Sequence, residues 1–153
     1  ASQRAVEVIE ASLNEPLDSI MEKVNQAQQG LRGVVLSIFK LHTKTKIVEF
    51  CGVGNIRFNI YKPDGEIIQP LPNRGYLSGQ PVNFQIKSFL YPDEAWFSIY
   101  SDGVHLQSKH VPVIKRLFST KNEEDADRIL DELSSHAIDD MTVVIGKPTS
   151  KVC

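Results

Sequence analysis

The stretch Trp96-Phe97-Ser98-Ile99-Tyr100-Ser101-Asp102-Gly103, read with Ile138-Asp139-Asp140-Met141-Thr142-Val143-Val144-Ile145-Gly146 near the end, decides how the rest of the chain is understood. In the first stretch Phe97 and Ile99 alternate with Ser98, the period of a strand, and the run stops at an acid followed by glycine. The second starts from a pair of acids and then runs as a strand. If the two lie antiparallel in one sheet, the C-terminal end of the first sits beside the start of the second. Asp102 then meets Asp139 or Asp140 at one sheet edge, and carboxylates far apart in sequence converge where a hard cation can sit.

Working outward, the preceding residues predict more strands. Phe84 to Leu90 and Ala95 to Ser101 are expected to pair as a hairpin across Tyr91-Pro92-Asp93-Glu94. Ile56, Phe58 and Ile60 alternate with Arg57, Asn59 and Tyr61, which predicts a strand with one wet face. Val34 to Leu41 reads as a buried strand returning through Thr43-Lys44-Thr45-Lys46 to a strand at Ile47 to Cys51. Glu66 to Gln69 is a short strand, and residues 70–81, rich in Gly and Pro, are loop.

Helical periods occupy both flanks. A helix is expected from about Gln3 to Leu13 with Ala5, Val6, Ile9 and Leu13 on one face, and a second, capped by Asn14, carries Leu17, Ile20, Met21 and Val24 at i, i+3, i+4, i+7 and ends at Gly30. After Gly103 the period turns helical again at Val113, Ile114, Leu117 and Phe118. A last helix is capped by Asn122, with Glu123, Glu124 and Asp125 complementing its dipole and Ala126, Ile129, Leu130 and Leu133 buried. Six or seven strands in meanders with helices grouped toward the two ends predict an α+β fold with largely antiparallel sheet.

Composition bounds the function. The 153 residues suit one domain with its own core, spanning 1–153. A net charge of −2, with 17 basic and 19 acidic residues and no basic block, speaks against tracking a nucleic-acid backbone. Two cysteines, Cys51 in an apolar strand pattern and Cys153, make neither a disulfide framework nor a zinc spacing, as expected of a cytoplasmic protein. The longest apolar runs are strand-sized, so no membrane role is expected. The opening residues read as the middle of a helix without a cap signal, and the expectation is a chain lacking its beginning.

Candidate chemistry rests on the acids. Asp-Gly alone is a common turn and an acid pair before a strand is often a solvated loop; their placement at matching sheet ends gives them weight. Carboxylates held close repel unless a cation or proton sits between them, and a set of oxygens without His or Cys favours magnesium or manganese over zinc. The histidines His42, His105, His110 and His136 form no site by spacing, and Ser37, Ser98 and Ser101 lack the Gly-x-Ser-x-Gly elbow of a serine hydrolase. Gly52-Val53-Gly54-Asn55 lacks the Lys-Ser/Thr of a phosphate loop and reads as a bend between strands.

With those residues in view, the chain resembles the metal-dependent protein phosphatase 2C family and, within it, the compact bacterial phosphatases of stress signalling. The matching pieces are Gly52-Val53-Gly54-Asn55-Ile56-Arg57-Phe58, the loop through Gly75-Tyr76-Leu77-Ser78-Gly79, Ser101-Asp102-Gly103 and Asp139-Asp140-Met141-Thr142. The resemblance implies a four-layer αββα sandwich, N-terminally incomplete, and a two-metal site for Mn2+ or Mg2+. Asp102 and Asp139 stand at ligand positions, Asp140 where many relatives carry Asn, and Gly103 in the cofactor-binding turn. The family's early Asp-Gly, whose carboxylate bridges both metals, would lie upstream of Ala1. The implied reaction is hydrolysis of phosphoserine or phosphothreonine by a metal-activated water, on stressosome proteins of the sigma-B pathway as substrates and partners. The alternative is a non-catalytic relative that binds signalling proteins. The loop at residues 70–81, with Tyr76 and Leu77, is expected either to touch substrate or to be a plain connector.

Overall fold

A computed structural model describes residues 1–104, 111–135 and 139–149. Its elements run α1 (Ser2–Ala11), α2 (Leu17–Ala27), β1 (Leu36–His42), β2 (Ile47–Val53), β3 (Arg57–Tyr61), β4 (Ile67–Ile68), β5 (Lys87–Leu90), β6 (Trp96–Tyr100), α3 (Val111–Leu117), α4 (Glu123–Ser134) and β7 (Val143–Gly146). Every pairing between these strands is antiparallel. Two compact units emerge, Ala1–Ile56 with Pro70–Pro92, and Arg57–Gln69 with Asp93–Cys153.

In the first unit a sheet of order β1-β2-β5 carries α1 and α2. The spacing of Leu17, Ile20, Met21 and Val24 puts all four on one stripe of α2; each is at most 3% exposed, and they pack with Cys51 and Val53 of β2. Burying such a side chain contributes about 1.5–3 kcal/mol, so this stripe holds the helical layer on the sheet. Asn14 does not cap α2. Pro16 occupies that position with an extended ψ of 147°, and Glu15 accepts from the Ser19 hydroxyl and the Lys23 ammonium instead. The helix also stops at Ala27, before Gly30, because Gln28 and Gln29 close tighter bonds to Asn25 and Gln26. In α1 the buried stripe is Ala5 with Val8 and Ile9; Val6 and Leu13 are 53% and 59% exposed, since the helix ends at Ala11 and its face turns away from both.

The second unit holds a sheet of order β4-β3-β6-β7 packed with α3 and α4. Asn122 caps α4 as expected, its side chain accepting from the Asp125 amide at 2.8 Å, and Glu123, Glu124 and Asp125 occupy the first turn. Replacing Asn122 with Ala is expected to lower stability by about 1 kcal/mol, read from urea unfolding at constant slope.

Two strand expectations are corrected. The hairpin between the strands around Phe84 to Leu90 and Ala95 to Ser101 does not form. β5 pairs with β2, Ile47 opposite Leu90, and the Tyr91 amide continues the contact to the Lys46 carbonyl at 2.7 Å, whereas β6 lies between β3 and β7. Residues 91–95 connect the two strands, with Glu94 at a φ of 58° and Tyr91 buried, its hydroxyl pKa pushed up to about 12 by desolvation. Alternation identifies a strand but not its neighbour.

The wet face of β3 is absent as well: Asn59 and Tyr61 are as buried as Phe58 and Ile60. β3 is an interior strand, and its polar side chains bond to one another and to β6, with only Asn59 Oδ1 left without a partner among the described residues. Asn59 donates to the hydroxyls of Tyr61 and Tyr100 at 3.3 and 3.2 Å, and Tyr61 shares a hydrogen bond with Ser98 at 2.9 Å. Desolvation holds the Tyr100 hydroxyl above its ordinary pKa, so it stays a neutral hydrogen-bonding group.

Candidate metal-binding site

The register of β6 and β7 answers the central question of the sequence. Phe97 lies opposite Gly146 and Tyr100 opposite Val143, so the C-terminal end of β6 meets the start of β7. Just past the last pair, the Ser101 amide donates to the Thr142 carbonyl at 3.0 Å. The Thr142 amide donates back to Ser101 Oγ at 3.0 Å, and that hydroxyl donates to the Asp140 carbonyl at 3.4 Å. Asp102 is therefore flanked by two residues that touch the segment bearing Asp139 and Asp140.

Gly103 is the second contact. A Cβ built there would lie 3.1 Å from the Asp139 carbonyl oxygen and 3.0 Å from the Asp140 carbonyl carbon, and closer still to the Asp140 oxygen. The absence of a side chain lets two backbones meet where the acids leave the sheet. Asp139 is further ordered by its own neighbour, Oδ1 accepting from the Asp140 amide at 2.8 Å. All three acids are exposed.

A divalent ion of the magnesium or manganese type fits this donor chemistry: carboxylates and backbone carbonyls, all oxygen, beside a turn that a Cβ would fill. Among the described residues no three His, Cys, Asp or Glu side chains gather into a set that could hold an ion by itself, so Asp102, Asp139 and Asp140 make at most part of a cage. His105, His110, His136, Ile138 and Cys153 lie outside the described residues. His42 bonds Glu49 at 2.7 Å on the surface, and Cys51 is a core residue whose thiol pKa is pushed up to about 11 by burial.

The structure separates the two residues proposed to touch substrate. Tyr76 is 59% exposed, but Leu77 is fully buried, its backbone bridged to Val34 in both directions and its side chain in the core with α2. Leu77 is corrected from a surface contact to a core anchor, because the bridge turns it inward. The loop is also fixed by a residue that spacing alone did not single out. Asn25 accepts from the amides of Ser78 and Gly79 at 3.1 and 3.0 Å and donates to the Gln80 carbonyl at 2.7 Å, while only 2% exposed. Its signal in the sequence is a polar residue on the apolar stripe of α2, four after Met21. The other group is the Ser101 hydroxyl, which the sequence offered only as part of Ser101-Asp102-Gly103 and with no role of its own.

No protein-family model matches the chain. It is 32% identical over 142 residues to the phosphoserine phosphatase RsbX of Bacillus subtilis (strain 168), covering 92% of this chain and 69% of that protein. Crystalline RsbX in complex with magnesium superposes with a TM-score of 0.79 at 30% identity, over 94% of this chain and 70% of that one. A chain from a structural study of the bacterial stressosome gives 0.74 at 26% identity, over 94% and 73%. The antiparallel sheets with their helical layers thus have the protein phosphatase 2C fold. With the acid-bearing ends of β6 and β7 joined as described and a relative this similar over most of both sequences, the chain belongs to the RsbX-type protein serine/threonine phosphatases of the protein phosphatase 2C family.

Proposed function

We propose that this phosphatase removes phosphate from phosphoserine and phosphothreonine on bacterial stress-response proteins of the stressosome, acting in the cytoplasm as a negative regulator of sigma-B signalling, with Mn2+ or Mg2+ as cofactor. Residues 1–153 act as a single phosphatase domain. The observation that carries the reading is the joining of Ser101-Asp102-Gly103 to Asp139–Thr142 at one sheet end. The similarity to RsbX, solved with magnesium, and to a chain from a structural study of the bacterial stressosome supports the cofactor and the substrate class.

In this reading Asp102 and Asp139 hold the ion and Asp140 assists. When bound, a divalent ion acidifies a water and offsets charge on the phosphoryl oxygens. The chain's own part is to present carboxylates from two segments: Gly103 permits the approach of the backbones, and the Asp140 amide orients Asp139. Both acids open to solvent, so a phosphoryl group on another protein's surface has access to them.

The test is release of phosphate from a phosphoserine stressosome protein, measured with Mn2+ or Mg2+ and with EDTA. Metal-dependent turnover is expected, at a low rate and with weak metal binding because the described acids supply only part of a cage; binding of the phosphoprotein without turnover at any metal concentration would favour the non-catalytic module. We assign Tyr76 a substrate contact, its ring lying over Gly33 on a loop that Asn25 holds in place. Tyr76→Ala is expected to raise KM for the protein substrate about fivefold, the order of one lost aromatic contact, while leaving hydrolysis of a small aryl phosphate unchanged. Equal KM values for the two proteins would remove the contact.

A further inference from the structure

Hydrogen bonds cross between the end of β6 and the segment that opens β7, and the Ser101 side chain makes two of them. The backbone bond, Ser101 amide to Thr142 carbonyl, extends the ladder by one rung. The hydroxyl then takes the Thr142 amide at 3.0 Å as acceptor and reaches the Asp140 carbonyl at 3.4 Å as donor. The carbonyl it reaches is the one that lies against Gly103. One side chain therefore spans residues 140 to 142 and pulls that segment onto the turn containing Asp102.

We propose that Ser101 is a positioning residue for the divalent-ion site, its hydroxyl fixing the spacing between Asp102 and Asp139 and so setting the affinity for the ion. This rests on the reading that those two acids hold the metal. The physical reason is the loss that follows removal of the hydroxyl. The Thr142 amide and the Asp140 carbonyl both lose this partner, while the backbone bond from the Ser101 amide to the Thr142 carbonyl remains. Carboxylates whose separation fluctuates bind a cation less well, because ordering them is then a cost of binding. Outer hydrogen-bond partners of metal ligands commonly change affinity about 10–100-fold when removed.

The experiment compares the unaltered chain with Ser101→Ala, Ser101→Thr and Asp139→Asn. Mn2+ is titrated by calorimetry, exchange of the Thr142 amide is followed by NMR, and thermal unfolding is recorded in EDTA. Ser101→Ala is expected to bind Mn2+ roughly tenfold or more weakly and to exchange the Thr142 amide faster, with a cooperative transition in EDTA. Ser101→Thr, which keeps the hydroxyl, is expected to restore both. If the alanine variant does not unfold cooperatively, the comparison is made with Ser101→Cys, whose thiol keeps the volume but is a weak hydrogen-bond partner.

Unaltered Mn2+ affinity in the alanine or cysteine variant, or a threonine variant as weak as they are, overturns the role of Ser101. If Asp139→Asn also leaves Mn2+ affinity unchanged, the metal-site reading falls with it. If Asp139→Asn weakens binding and the Ser101 variants do not, only the positioning role is lost.

Discussion

Asp139→Asn is expected to reduce metal-dependent phosphatase activity by at least about a hundredfold, because loss of an outer hydrogen-bond partner alone costs about 10–100-fold and this change removes the charge itself. The amide keeps the volume of the carboxylate, and its oxygen can still accept from the Asp140 amide, so the local turn survives. What disappears is one negative charge in the segment that leads into β7. Asp102→Asn removes the corresponding charge from the end of β6 and is expected to act with similar size. Initial rates on the phosphoprotein across a Mn2+ series check both: a weakened ligand shows partial recovery at high metal, whereas unchanged rates at all concentrations would take that residue out of the site. Asp140→Asn, at a position where Asn is compatible with the family, is expected to have the smallest effect of the three.

Gly103→Ala should be nearly as damaging, for a reason of space. The new Cβ would meet the carbonyl groups of Asp139 and Asp140, backbone atoms that cannot rotate away as a side chain would. Those atoms are tied to β6 through Ser101 and Thr142, so relief requires the two acid-bearing segments to separate. Overpacking of this kind costs about 1–3 kcal/mol, and a displacement of about 1 Å in a catalytic group can cost about 10²-fold in rate. The measurement is kcat/KM beside urea unfolding. An alanine variant with unaltered kcat/KM would show that the close approach has no bearing on the reaction.

Much of the candidate site's geometry was legible because its acids are attached to strands with clean alternation. Phe97, Ile99, Val143 and Ile145 announce β6 and β7, and antiparallel pairing then brings the turn at Asp102-Gly103 to the segment bearing Asp139 and Asp140. The helix stripe of α2 and the Asn122 cap were readable for the same reason, since local spacing carries them. What escaped depends on partners remote in sequence. Nothing within residues 84–101 reveals that Leu90 pairs with Ile47 while Trp96 pairs with Tyr61. Asn59 and Tyr61 look solvent-facing by type, and only the hydroxyls of Ser98 and Tyr100 make their burial affordable. Leu77 sits in a loop by composition, yet its bridge to Val34 makes it core.

The hydrogen bonds among Asn59, Tyr61, Ser98 and Tyr100 do more than offset burial. Apolar side chains tolerate sliding past one another, but a set of matched donors and acceptors fits in a single alignment, like the wards of a key. A slip of β6 by one residue would point these groups at the opposite side of the sheet and carry Asp102 along by about 3.3 Å, farther than a metal–oxygen bond is long. The interior hydroxyls thereby gauge where the strand must stop, and through it where the first carboxylate stands.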